Sequence, residues 1–425
     1  MKVLVLGGGG REHAIAWMLN KSSLVEELYW TPANGGCAVP FENPHIAADD
    51  IESILRFARD KSIDLTVVGP EGPLVRGITD IFKEHGLLVF GPSKQGAMIE
   101  GSKSYAKALM EQRAIPTAGY REFHDRISAL SYLEGKKPPY VLKADGLAAG
   151  KGVIIAYTMQ EADIALGDML DRKMFGESGS RIIIEEYLEG EEATVLALTD
   201  GKNIVPLISS QDHKAVYDGD KGPNTGGMGA IAPAPVVTER VMGRVMDRIL
   251  VPLVEAFSSL SIDYRGVLYA GLMIKEGEPR VVEFNCRFGD PETEAVLPLL
   301  QSDFCELLLR SANGELDGVR IDWANAFCCD VVLTSGGYPG KYEKGIPITG
   351  VDRAGSLNDV AVFHAGTTVE DDTLVTGGGR VLNVAGTGST LKKAIEKAYR
   401  GVKEIDFEGV HCRRDIGHHA LKYFT

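Results

Sequence analysis

Short apolar runs alternate with amphipathic stretches through the first hundred residues. KVLVL at Lys2–Leu6, LTVV at Leu65–Val68 and LLVF at 87–90 read as buried strands. DIESILRFARD at 50–60 and GITDIFKEHG at 77–86 repeat their apolar positions at helical spacing. Strands alternating with helices predict a parallel sheet covered on both faces, an α/β domain at about 1–101. The pattern then changes. A helix, KSYAKALMEQRA, opens a segment in which YVLKADGLAAGKGVIIA and RIIIEEYLEGEEATVLAL read as strands around a glycine-rich hairpin. The stretch 217–235, YDGDKGPNTGGMGAIAPAP, is dense in Gly and Pro and predicts a long loop. Residues 238–258 are predicted helical, and GVLYAGLMIKEGEPRVVEFN is a predicted β-hairpin. From about 326, FCCDVVLTSGGYPG, VAVFHAGTTVE and GGRVLNVAGTG predict strands with turns, followed by the helix STLKKAIEKAYRGVKEI. The whole is an α/β and α+β multidomain chain. Its expected parts are 1–101, 102–325 with a lid at about 120–190, and a small α+β domain at 326–425.

Composition narrows the function classes. The 425 residues carry a formal net charge of −14, which argues against nucleic acid or an anionic membrane as partner, since both need a basic field. No apolar run is long enough to span a bilayer, and the glycines after Leu6 do not suit a signal peptide. The six cysteines fall in no CxxC pair; reduced thiols in a cytoplasmic protein are expected.

Charged residues inside apolar strands carry the chemistry. Lys143 interrupts YVLKA, and a buried lysine is costly unless an anion meets it. Gly146, Gly150 and Gly152 follow with Lys151. Glycines let backbone N–H groups approach phosphate oxygens, and lysines neutralise them. A strand follows rather than a helix, so this is not a Walker loop. About thirty residues on, IIIEEYLEGEE ends a buried strand in Glu185, Glu186 and Leu188: a linker suited to an adenine edge, with Glu192 placed for ribose hydroxyls. Farther on, VVEFNCRFGDPE sets Glu283 and Asn285 on one strand face, with Val282 and Phe284 on the other. A carboxylate beside an amide suits Mg²⁺, which binds through one or two carboxylates plus phosphate oxygens. The glycine turn after Leu6 lacks the third glycine of a dinucleotide fingerprint, and no acid follows the second strand. It remains either a tight turn or a phosphate-binding helix N-terminus.

The order of phosphate lysine, glycine hairpin, adenine linker and acidic strand resembles the ATP-grasp superfamily. GGGGREHA, VVGPEGPLV, FGPS, EGSK, KADGLAAGKGV, SQDHK, GPNTGGMGA and EFNCRFGDPE, taken in that order, resemble the phosphoribosylamine–glycine ligases within it, and the likeness continues through GGYPG, FHAGT and GGRVL to CRRDIG. The resemblance implies an ATP-grasp core of two subdomains. It implies an ATP-dependent ligase of purine biosynthesis that joins glycine to 5-phosphoribosylamine through a glycyl phosphate. It implies Lys103 and Lys143 on the ATP phosphates, and Glu186 and Leu188 on adenine through backbone atoms. Glu192 would meet ribose, and Glu283 and Asn285 would hold Mg²⁺ (or Mn²⁺). Asp212, Lys214 and Arg287 would line the glycine and acyl-phosphate region beside Asn224, Gly226 and Gly227. Gly8, Gly9, Gly10, Arg11 and Glu71 would hold the phosphoribosylamine. The chain departs from many members at 32–37, reading PANGGC for PGNAGT, so a left-handed Ala33 would strain that loop. It also has no acid on LYAGLMI, the strand preceding the metal ligands. No nucleophilic Cys or Ser is expected, and a monomer is the expected state. Two rivals stand beside this reading: another ATP-grasp carboxylate–amine ligase of purine metabolism, and a nucleotide-binding regulator without turnover.

Overall fold

The structure, a computed structural model, describes residues 1–37, 41–147 and 152–424. The first hundred residues form a five-stranded parallel sheet in the order Phe41–Glu42, Glu27–Thr31, Lys2–Leu6, Leu65–Val68, Val89–Phe90. Val3, Leu4, Val5 and Leu6 are all fully buried, as a strand covered on both faces requires. The strand order reverses between Lys2–Leu6 and Leu65–Val68, and ligands of open parallel sheets bind outside the carboxyl ends at such a reversal. Gly7 to Arg11 and Pro70 with Glu71 lie at those ends.

Two antiparallel sheets follow. One joins Tyr120–Phe123, Ile182–Glu185, Tyr140–Ala144 and Val153–Ala156. It has its own core of Leu142, Ile182 and Ile184 against the helices Arg126–Leu133 and Met159–Leu166. The other joins Ile204–Pro206, Glu191–Thr199, Gly266–Lys275 and Glu278–Asn285, with the helix Val251–Ser259 sharing its core. A fourth sheet, in the order Gln211–Asp212, Gly229–Ala232, Phe327–Thr334, Arg380–Gly388, Val360–His364, is packed by the helix Leu391–Val402. These layers match the α/β and α+β architecture expected from the periodicity.

The stretch 217–235 differs from the expected loop. It contributes to the hairpin Ala215–Tyr217 with Lys221–Asn224, and it holds the fully buried strand Gly229–Ala232. Gly219 and Gly227, at positive φ, lie in the turns between these pieces, and the strand itself carries small residues that hide its alternation. Through Gln211–Asp212 and Gly229–Ala232 this central segment joins the sheet built by the last hundred residues, across the expected 325/326 division. Ala33 does not take a left-handed conformation. Instead Asn34 Nδ2 donates to Gly8 O at 3.0 Å and to His364 O at 2.6 Å, tying the glycine turn to the C-terminal sheet. Among the described residues no helix is long and apolar enough to cross a membrane.

Candidate active site

A cavity of about 480 Å³ lies where the four sheets meet, within the range of small-molecule sites. Its residues come from every segment: Arg11 and Glu71, Lys103 and Lys107, Lys143, Glu185 to Leu188, Asp212 and Lys214, Glu283 to Asn285, Arg287 and Arg380.

The buried Lys143 meets its anion in Glu185. Lys143 Nζ lies 3.0 Å from Glu185 Oε2, and Lys107 Nζ lies 3.1 Å from the same oxygen. The three side chains are between 2% and 4% exposed. Lys143 also donates to Val282 O at 3.0 Å. That carbonyl is turned toward it by a bulge: Gly271 pairs with Glu283 while Leu272 pairs with Val281, so Val282 is the extra residue. The strict alternation expected for VVEFN therefore holds only from Glu283 onward. Lys107 also donates to Thr117 Oγ1 at 2.8 Å. Burial, partly countered by Glu185, lowers its pKa to about 8. Glu185 Oε1 is sealed from solvent and has no hydrogen-bond partner.

Lys103 starts the helix Lys103–Gln112, capped by Ser102, and its Nζ donates to Gly146 O at 3.2 Å. Asp145, next to Gly146, accepts from Ser104 N at 2.6 Å and pairs with Arg181, so the hairpin is anchored at its base to this helix. Gly152 also lines the cavity. Gly150 and Lys151 lie outside the described residues. In the linker, Glu186 N is engaged by Gly119 O at 2.9 Å. No hydrogen bond is made to Glu186 O or by Leu188 N among the described residues, which leaves one backbone acceptor and one donor facing a base-sized space.

Glu283 and Asn285 both line the cavity. Burial would raise the Glu283 carboxyl, but the charges of Lys214, Lys143, Lys103 and Arg287 hold it below its ordinary value. The pair is thus an ionised carboxylate and an amide oxygen among lysines, a donor set that fits Mg²⁺ shared with phosphate oxygens. Among the described residues no group of three or more His, Cys, Asp or Glu could hold a metal by itself. Lys214 lies 3.5 Å from Glu192, whose charge is the main cause of its strongly raised pKa. Asp212 is half-buried, with Oδ1 sealed from solvent and lacking a partner. Burial and the nearby Glu292 push its carboxyl well above the ordinary value. Glu292 itself accepts from Tyr269 at 2.7 Å and Thr194 at 3.1 Å.

Arg287 is already engaged. Nη2 lies 2.8 Å from Glu100, Nε donates to Glu71 at 3.3 Å and Nη1 to Phe288 O at 3.3 Å. Asn224 and Gly226 line the cavity. Gly8, Gly9, Gly10 and Gly227 do not. Gly9 N donates to Glu12 Oε2 at 2.7 Å, so part of that helix start is already satisfied by its own carboxylate. Gly227 packs where a Cβ would meet Pro291 at 2.4 Å. Cys286 is buried, and burial together with Glu100 raises its thiol well above the ordinary value, the opposite of an activated nucleophile.

Three family models match along the chain: phosphoribosylglycinamide synthetase N domain at residues 1–100, its ATP-grasp (A) domain at 101–293 and its C domain at 328–419. The phosphoribosylamine–glycine ligase of Allochromatium vinosum is 50% identical over 424 residues, covering 99% of each chain. The chain belongs to the phosphoribosylamine–glycine ligase family. The Vibrio cholerae member is 48% identical over the same length. The crystal structure of the Thermotoga maritima member superposes with a TM-score of 0.83 at 34% identity, covering 98% of this chain and 100% of that one. The biotin carboxylase domain of Hydrogenobacter thermophilus 2-oxoglutarate carboxylase, at 16% identity and a TM-score of 0.71, shares the fold alone. Lys107, Glu100, Glu292 and Arg380 were not singled out as site residues from sequence. Lys107 follows Lys103 by one helical turn, Glu100 and Arg380 sit in EGSK and GGRVL, and Glu292 ends EFNCRFGDPE.

Proposed function

We propose that this chain, a member of the ligase family, joins glycine to 5-phosphoribosylamine and converts ATP to ADP and phosphate. The observation that carries the reading is the single cavity in which a buried phosphate-type lysine, an ionised Glu283 with Asn285, and the unpartnered Asp212 come together. We propose three working parts, 1–101, 102–325 and 326–425, which the separate sheets support although strands of the central part cross into the last.

A carboxylate resists attack by an amine because its leaving group is oxide. Transfer of the γ-phosphoryl group to a glycine carboxylate oxygen gives a glycyl phosphate, with ADP as the other product. The amine nitrogen then attacks the carbonyl carbon, the C–O bond to phosphate breaks, and the ammonium nitrogen loses a proton as the amide forms. The protein's share is positioning and charge neutralisation. Lys103 and Lys143 take the ATP phosphates. Glu186 O accepts from the adenine amino group and Leu188 N donates to a ring nitrogen. Glu283 and Asn285 would hold Mg²⁺, which supplies charge neutralisation of the phosphates when bound. Asp212 takes the glycine ammonium, which brings the counter-charge its buried carboxyl lacks. Lys214 and Arg287 frame the carboxylate, and Glu71 and Arg11 face the amine substrate.

The test is ADP release by the purified chain with ATP and Mg²⁺. Release that needs both glycine and phosphoribosylamine supports the reading. Release with bicarbonate or formate in place of glycine, or no release at all, overturns it.

A further inference from the structure

Arg380 opens the strand Arg380–Gly388 and reaches the cavity from the C-terminal sheet. One of its nitrogens does all of its holding. Nη1 donates to Gly226 O at 2.8 Å and Asp290 O at 2.9 Å, and lies 2.8 Å from Asp290 Oδ1. Nε and Nη2 make no hydrogen bond among the described residues, and neither is sealed from solvent. These two N–H groups point the same way and form the side-on fork of a guanidinium. Elsewhere in this chain Arg413 uses that same pair on both oxygens of Asp415, at 2.8 and 2.9 Å. At Arg380 the fork is held rigid and left open.

The other guanidiniums lining the cavity are more fully used. Arg287 spends all three nitrogens on Glu71, Glu100 and Phe288 O. Arg11 spends Nε on Glu12 and Nη1 on Phe288 O, leaving Nη2. Among the described residues Arg380 shares no hydrogen-bonded partner with Lys103, Lys107 or Lys143. Asp290 sits between it and the glycine turn of the N-terminal sheet: a Cβ on Gly9 would come 3.4 Å from Asp290 Oδ2. Through Asp290 and Gly226 the guanidinium is thus fixed beside the part of the cavity bounded by the first and last segments of the chain.

We propose that Arg380, with Arg11 lining the same cavity, binds the 5′-phosphate of the amine substrate and so makes phosphorylation of the sugar a requirement for recognition. A guanidinium fork matches two oxygens of a phosphate, which an ammonium cannot do. Asp290 occupies only the Nη1 side, so it orients the fork without consuming it. This rests on the ligase reading above.

The experiment compares glycinamide ribonucleotide with its 5′-dephosphorylated riboside by calorimetry, in wild type, Arg380→Lys and Gly226→Ala. The second substitution keeps the charge but crowds the guanidinium, since its Cβ would meet Arg380 Cζ at 3.0 Å and Nη2 at 3.2 Å. Wild type should prefer the phosphorylated ligand. Arg380→Lys should shrink that preference about tenfold or more while the riboside binds as before, since a charge-assisted hydrogen bond is worth at least that factor. Gly226→Ala should shrink it in the same direction. A merely structural role for Arg380 would weaken both ligands alike. A preference unchanged within about twofold in both variants overturns the proposal, provided wild type shows ADP release dependent on glycine and phosphoribosylamine. Absence of that release in wild type counts against the ligase reading instead.

Discussion

Replacing Glu185 with glutamine keeps its shape and removes the one anion that Lys107 and Lys143 share. Both ammonium groups then face each other across a buried space, each retaining a neutral acceptor: Thr117 Oγ1 for Lys107 and Val282 O for Lys143. Breaking a buried ion pair by removing one partner costs about 3–5 kcal/mol, and the retained acceptors place this case near the lower end. The cost has a second bound. Lys107 already titrates at about 8, and in the variant it can shed its proton rather than stay charged and unpaired. Each further unit by which its pKa falls is worth about 1.4 kcal/mol. Between the variant's lower pKa and about 8 the wild-type native state then holds a proton that the variant does not, so the stability gap narrows as pH rises toward about 8 and levels off above it. Urea unfolding of wild type and Glu185→Gln at pH 7 and pH 9.5 measures this directly. We expect a loss of about 3 kcal/mol at pH 7, falling by roughly half at pH 9.5. A loss that does not change with pH would refute the shared-anion argument.

Three further outcomes follow from the same geometry. Glu283→Gln should lower turnover by about a hundredfold or more and leave the unfolding free energy within about 0.5 kcal/mol of wild type, because the carboxylate faces the cavity; equal losses of stability and turnover would assign it to packing. Asp330 is fully buried, with both carboxylate oxygens unpartnered, and burial, then Asp290, raises its pKa well above the ordinary value. Its raised folded pKa means that stability is present at low pH and lost as pH rises through that value, so Asp330→Asn should unfold later than wild type at pH 8 and gain less at pH 5; a gain that is equal at both would count against it. Arg287→Lys cannot span Glu71 and Glu100 as the guanidinium does, so apparent glycine affinity should fall about tenfold or more with ATP affinity little changed; loss of ATP affinity alone would move Arg287 to the nucleotide.

The N-terminal sheet was legible because its strands are uninterrupted apolar runs and its helices carry clear periodicity, as in DIESILRFARD. Lys143, Glu283 and Asn285 were legible for the converse reason, as polar residues that interrupt apolar strands. The segment 217–235 was not, since its glycines mark turns so densely that the strand Gly229–Ala232 between them shows no alternation. Lys107 reads as an ordinary polar position in KSYAK, and its burial depends on Glu185 from a strand far along the chain. Arg380 is likewise invisible locally: it touches Gly226 across 154 residues of sequence, a contact that only the docking of the last sheet creates. The free groups that define the site (Glu185 Oε1, Asp212 Oδ1, the Arg380 fork) are known only once every neighbour is placed.

In the proposed reaction a glycine carboxylate oxygen becomes the bridge of an acyl phosphate. Glycine labelled with ¹⁸O in its carboxylate, incubated with ATP, Mg²⁺, phosphoribosylamine and the enzyme, tests it by mass spectrometry of the released phosphate. One labelled oxygen in each phosphate and one retained in the product amide are expected. Phosphate that carries no label, in a reaction that still forms the amide, would contradict it.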